Sequence, residues 1–135
     1  MNRPERRFIH GGGGVPASRA GISHGVVVGG TCYIGGQLSL DENGAYIPGD
    51  VESEARRAFA NLFAVCDRAG LDRAQIVFLE IALADIGDLP TVSGLYNELF
   101  ADPATRPPRA VHEVGKLPLN ARIRVHGIAA RGDGP

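Results

Sequence analysis

Apolar positions along the chain follow two different periods, and the switches between them mark out helices and strands. From residue 51 onward, Val51, Ala55, Ala58, Phe59, Leu62, Phe63 and Cys66 recur at helical spacing, which predicts an amphipathic helix with one broad apolar stripe. Asp50 stands at its N-cap, Glu52 and Glu54 occupy the first turn, and Gly70 supplies the stop. A second helix is expected after an Asp88 cap, with Pro90 in its first turn and Val92, Leu95, Tyr96, Leu99 and Phe100 on its inner stripe. Residues 76–85 are nearly all apolar and read as a central strand. Two short β-branched runs, 26–28 and 31–34, meet at Gly29-Gly30, a two-residue hairpin signature. Strands at 109–114 and 122–129, and an extra one at 6–10, complete the layout. The expectation is an α+β sandwich, a mixed six-stranded sheet with two helices on one face.

Such a layout leaves the other sheet face uncovered, and the last strand says what lies there. Ile123, Val125, Gly127 and Ala129 point one way, while Arg122, Arg124, His126 and Ile128 point the other. The second set suits plain solvent exposure, a wet subunit interface or a ligand cleft, and periodicity does not choose among them.

Composition narrows the classes. With 135 residues, 44% hydrophobic and 21% charged, the chain has the size and make-up of one globular domain, 1–135, with its core at about 6–130. The ends, 1–7 and 132–135, read as loose, and the glycine-rich 10–21 segment reads as a mobile loop, since it lacks the lysine of a phosphate-binding loop. A formal net charge of -1 gives no cationic field for nucleic acid. Cys32 and Cys66, each in an apolar pattern, read as buried thiols, and no metal-ligand spacing occurs. No secretory h-region or membrane-length apolar run is present, so the expected location is cytoplasmic.

Two stretches carry a resemblance. "PPRAVHEVGKLP" followed by "IRVHGIA", and the earlier "YIGGQLSLDENGAYIPGDVESEARRAFANL", resemble the two signature segments of the RidA/YjgF family, also known as the endoribonuclease L-PSP family, in the right order over roughly residues 22–130. The resemblance implies a chorismate-mutase-like α+β fold assembled as a homotrimer, with clefts between subunits. It also implies cofactor-independent and metal-free hydrolysis of reactive 2-imino and 2-enamino acids to 2-oxo acids and ammonia.

Carried over position by position, Arg109 matches the arginine that grips the substrate carboxylate, a task suited to a planar fork that keeps its charge. Gly36 and Gln37 match the family's cleft-lining Gly-Gln, and Val111 matches a wall position. Ile22 stands where the family has a tyrosine, and His24 where it has a glutamine. The glutamate that positions water in the family is replaced by Arg124, and the next acid by His126, so the local charge is reversed. Arg109 and Arg124 together would favour a dicarboxylic, aminomuconate-like substrate. His24 and His126 are then the candidate proton-transfer residues. The other readings are a non-catalytic binder of a small carboxylate such as a 2-oxo acid, and an endoribonuclease or translation inhibitor. Against the last stand the absence of Trp and an aromatic share of 6%.

Overall fold

Strands β1 (Arg6–Ile9), β2 (Gly25–Val28), β3 (Thr31–Gln37), β4 (Ile76–Leu83), β5 (Arg109–Glu113) and β6 (Ile123–Ala130) form one sheet in the order β1-β2-β3-β6-β4-β5. This is a computed structural model that describes residues 5–132. Every neighbouring pair is antiparallel except β4 and β5, which run parallel and are joined by α2 (Leu89–Leu99). Helix α1 (Val51–Arg68) crosses β3 and β6 on the same side of the sheet, beside α2. Phe59, Leu62, Val65 and Val92 from the helices meet Ile34, Leu79, Ile81, Ile123 and Val125 from the strands, and all are buried in one core. The α+β layout expected from the periodicity is therefore the one observed.

Local chemistry explains the element ends. The Asp50 carboxylate accepts the Ser53 backbone N–H at 2.8 Å, closing the first turn of α1. At the other end Gly70 takes φ +78°, and the N–H groups of Gly70 and Leu71 reach back to the carbonyls of Asp67 and Cys66. That is the paired-bond stop for which glycine is favoured. The expected Asp88 cap is not made. A short 3₁₀ turn, Ile86–Asp88, runs straight into α2, and the Asp85 carboxylate caps that turn through Gly87 N–H instead.

Three other expectations change. Arg6 and Arg7 are paired with Val28 and Val27 in β1, so the loose N-terminal segment is shorter than expected; residues 1–4 and 133–135 lie outside the described residues. The glycine run is tied down: Gly12 and Val15 exchange backbone hydrogen bonds, Val15 enters the core, and the Arg68 guanidinium donates to the carbonyls of His10 and Gly12. The open sheet face is covered at one end, where Leu38, Leu117 and Ala121 pack on Ala82 of β4.

Two polar residues on α1 are buried where its stripe suggested only apolar ones. Asn61 donates to the carbonyls of Leu38 and Leu40, holding the β3–α1 connection against the helix. Glu54, fully buried, accepts from the Tyr46 hydroxyl at 2.6 Å, from Gly49 N–H and from Arg122 N–H. Burial and this carboxylate push the Tyr46 phenol up to about 12. The two thiols, Cys32 and Cys66, are buried as expected, and burial raises both, Cys66 to about 12.

Candidate functional site

The sheet divides the candidate residues into two groups. Arg109 opens β5 on the helix side, in register with the core residue Leu79. Its Nη2 donates to Ser93 Oγ of α2 at 2.8 Å, and its guanidinium carbon lies 4.6 Å from the centre of the Tyr96 ring. Tyr96 is itself fixed, since its hydroxyl donates to the Pro107 carbonyl at 2.6 Å. The remaining terminal nitrogen, Nη1, is buried and has no hydrogen-bond partner among the described residues. A buried donor left without a partner is costly, so a half-satisfied, pre-aimed guanidinium is suited to an incoming anion. Val111, two residues on, is partly buried and packs against the helix-side core.

The open face holds the second group. The register sets Glu80 of β4 opposite His126 of β6, and Ala82 opposite Arg124. His126 Nε2 lies 2.9 Å from Glu80 Oε2. Beyond β6, the β3 ladder slips: Ile34 pairs with Gly127 and Gln37 with Val125, so that Gly35 and Gly36 together face His126. This is a β-bulge, a device that re-aims side chains. A Cβ at residue 36 would sit 2.7 Å from Cδ of Arg124, whose stem crosses β3 at this point, so a larger residue there would displace that side chain. Arg124 has no ion pair or side-chain hydrogen bond among the described residues. His112 also projects on this face, opposite Ala82, and not toward the helices.

Past the bulge, Gln37 turns inward and is buried. Its amide Nε2 donates to the Gly35 carbonyl at 3.1 Å and lies 3.1 Å from His24 Nδ1. A carbonyl can only accept, so the amide orientation is set, and His24 Nδ1 must be the acceptor with the proton on Nε2. That Nε2, and Gln37 Oε1, are buried without a hydrogen-bond partner among the described residues. His24 also lines a shallow groove of about 270 Å³ with Phe8, Val26, Tyr33 and Gly35 on the open face. Ile22, two residues before His24, is 66% exposed.

Burial pushes the His24 imidazole below its usual range. The unfolded chain takes up a proton near pH ~6.5, whereas the folded chain resists it, so stability should fall as pH drops below that value and stay level above it. Urea titrations at several pH values should show a shallower acid-side decline for His24→Gln than for the unmodified protein. Equal declines would remove His24 as the source.

The sequence reading grouped Arg109 with Arg124, but one chain places them on opposite faces of the sheet. Glu80 was missed, lying inside an apolar strand whose partner register is not readable locally. Ser93 and Tyr96 were also missed as guanidinium supports; their only signal is their place on the face of α2 that meets β5.

Residues 14–131 match the family model described as endoribonuclease L-PSP. The chain belongs to the RidA/YjgF family. It is 36% identical over 118 residues to a 2-iminobutanoate/2-iminopropanoate deaminase of Bos taurus, covering 87% of this chain and 85% of that protein. The Escherichia coli K12 protein of the same name is 32% identical, over 86% of this chain and 91% of its own. Among crystal structures, the E. coli YjgF gene product superposes with a TM-score of 0.85 at 29% identity, covering 93% of this chain and all of that one. E. coli TdcF with bound serine gives 0.84 at 26%, with the same coverage. Within the RidA/YjgF frame the six-stranded sheet and paired helices are thus the family fold.

Proposed function

We propose that this protein hydrolyses reactive 2-imino acids, and their 2-enamino tautomers, to 2-oxo acids and ammonia. The observation that carries the reading is Arg109: stacked on Tyr96, hydrogen-bonded by Ser93, and left with a buried Nη1 ready for a substrate carboxylate. The named activity of relatives at 32% and 36% identity supports it, and a neighbour holding bound serine supports a ligand of amino-acid size.

Arg109 and the open-face groups lie on opposite sides of one sheet, so a single chain offers only half a site. A second copy, setting its Arg109 edge against the open face of the first, would complete the cleft, and a homotrimer provides three such clefts. In that arrangement Arg124, which has no ion pair among the described residues and lies over Gly36, would meet a second carboxylate, giving a preference for dicarboxylic imines. His126, with Gln37, His24 and Ile22 along the adjoining groove, would line the reacting end. The reaction needs only water and proton transfer, so no metal or organic cofactor is invoked.

The test generates imines in situ from neutral and acidic amino acids with an amino-acid oxidase and follows trapping by semicarbazide. Slower formation of the semicarbazone with this protein, most marked for the acidic substrates, is expected. Unchanged trapping for every imine would replace the deaminase by a carboxylate-binding protein. A monomer by light scattering would undo the shared cleft.

A further inference from the structure

Glu80 lies outside both family segments of the sequence, yet the structure gives it the one carboxylate contact made by His126 among the described residues. We propose that Glu80 is a positioning residue for proton transfer by His126, an inference that rests on the deaminase reading above.

Three observations converge on it. The two residues are direct cross-strand partners, so the backbone itself fixes their separation, and the side chains meet at 2.9 Å. The opposite flank of His126 is the Gly35-Gly36 bulge, which presents no side chain and leaves the ring's other edge open. Both side chains are a little over one-third exposed, at 38% and 37%, so the ring is accessible to a ligand on this face. The charged and titratable groups facing the pair are Arg124 on β6 and His112 on β5; β3 contributes only the two glycines at this level, and the helices lie behind the sheet.

By accepting from Nε2–H, Glu80 selects the tautomer whose Nδ1 carries the lone pair, and it holds the ring plane. The chemistry then balances at Nδ1. Water adds to the carbon of the protonated imine (C=NH2+), forming the C–O bond as the C=N π pair moves to nitrogen, and Nδ1 takes the proton that the water gives up. The imidazolium returns that proton to the nitrogen, the C–N bond breaks, and the hydroxyl oxygen forms the carbonyl while its own proton leaves with ammonia as ammonium. The carboxylate thus stands across the strand from where the family has its acids, and it acts on the histidine rather than on water. A half-exposed ion pair adds little to stability, so a purely structural role would leave the kinetics untouched.

The test compares the unmodified protein with Glu80→Gln, Glu80→Asp, His126→Gln and the Glu80→Gln/His126→Gln double variant in the imine assay from pH 5 to 9. Glu80→Gln should lower kcat roughly ten-fold with KM changed less than about two-fold, inside the ~10²–10⁴-fold that general acid–base catalysis supplies. Glu80→Asp should recover part of the loss, and the double variant should be no slower than His126→Gln alone. An unchanged kcat in Glu80→Gln, or multiplying losses in the double variant, would overturn the proposal while the deaminase reading stands. No turnover by the unmodified protein would overturn that reading, and this one with it.

Discussion

Replacing Arg109 by alanine is expected to lower kcat/KM for 2-imino acids about a hundred-fold or more. A bidentate guanidinium–carboxylate contact supplies two charge-assisted hydrogen bonds at about 1.5–3 kcal/mol each, and about 1.4 kcal/mol is a factor of ten. The fold should survive, because Arg109 packs only on the face of Tyr96 and on Ser93 at the sheet edge. Arg109→Lys keeps the charge but loses the planar fork and the stack, so it should recover only part of the activity. Ser93→Ala, which frees one nitrogen of the fork, should raise KM more than it lowers kcat. Steady-state kinetics on all three variants checks this; an Arg109→Ala protein with unaltered kcat/KM would place the carboxylate elsewhere.

The largest stability effect should come from Glu54, which touches no substrate. Its carboxylate gathers the Tyr46 hydroxyl, Gly49 N–H and Arg122 N–H, so it ties α1, the β3–α1 connection and the start of β6 into one knot. In Glu54→Gln one oxygen becomes a donor that faces donors. Leaving such buried groups unpaired costs about 1–3 kcal/mol each, so a loss of about 2–4 kcal/mol is expected. For a chain of this size that corresponds to a melting point lower by roughly 10 °C. Tyr46→Phe removes one contact only and should cost about 1 kcal/mol. Urea unfolding of both variants is the check, and a Glu54→Gln protein within about 0.5 kcal/mol of the original would refute the knot.

The elements were legible because each is written locally. The stripe of α1, its Asp50 cap and its Gly70 stop all lie within one stretch of chain, as does the Gly29-Gly30 hairpin. The burial of Glu54 and Asn61 was not legible, since their partners arrive from loops before the helix and from residue 122. Glu80 was hidden for the same reason: a lone acid in an apolar strand acquires its meaning from a register with β6 that no local pattern encodes. Arg109 could be picked out by its motif, whereas its face could not. Alternation in a short edge strand fixes relative sides, and only packing against α2 reveals which side is which.

The last strand of the chain occupies the middle of the sheet, between β3 and β4. The strands N-terminal to it therefore make two sheet pieces, a β1–β3 meander and a β4–α2–β5 unit, which share helix α1 as a packing partner but have no strand pairing between them until β6 is inserted. During synthesis the facing edges of β3 and β4 stay unpaired until β6 has been made, and unpaired strand edges are prone to aggregate. Arg124 and His126 ride in on that closing strand, so the open-face half of the site comes into being in the same event that completes the fold.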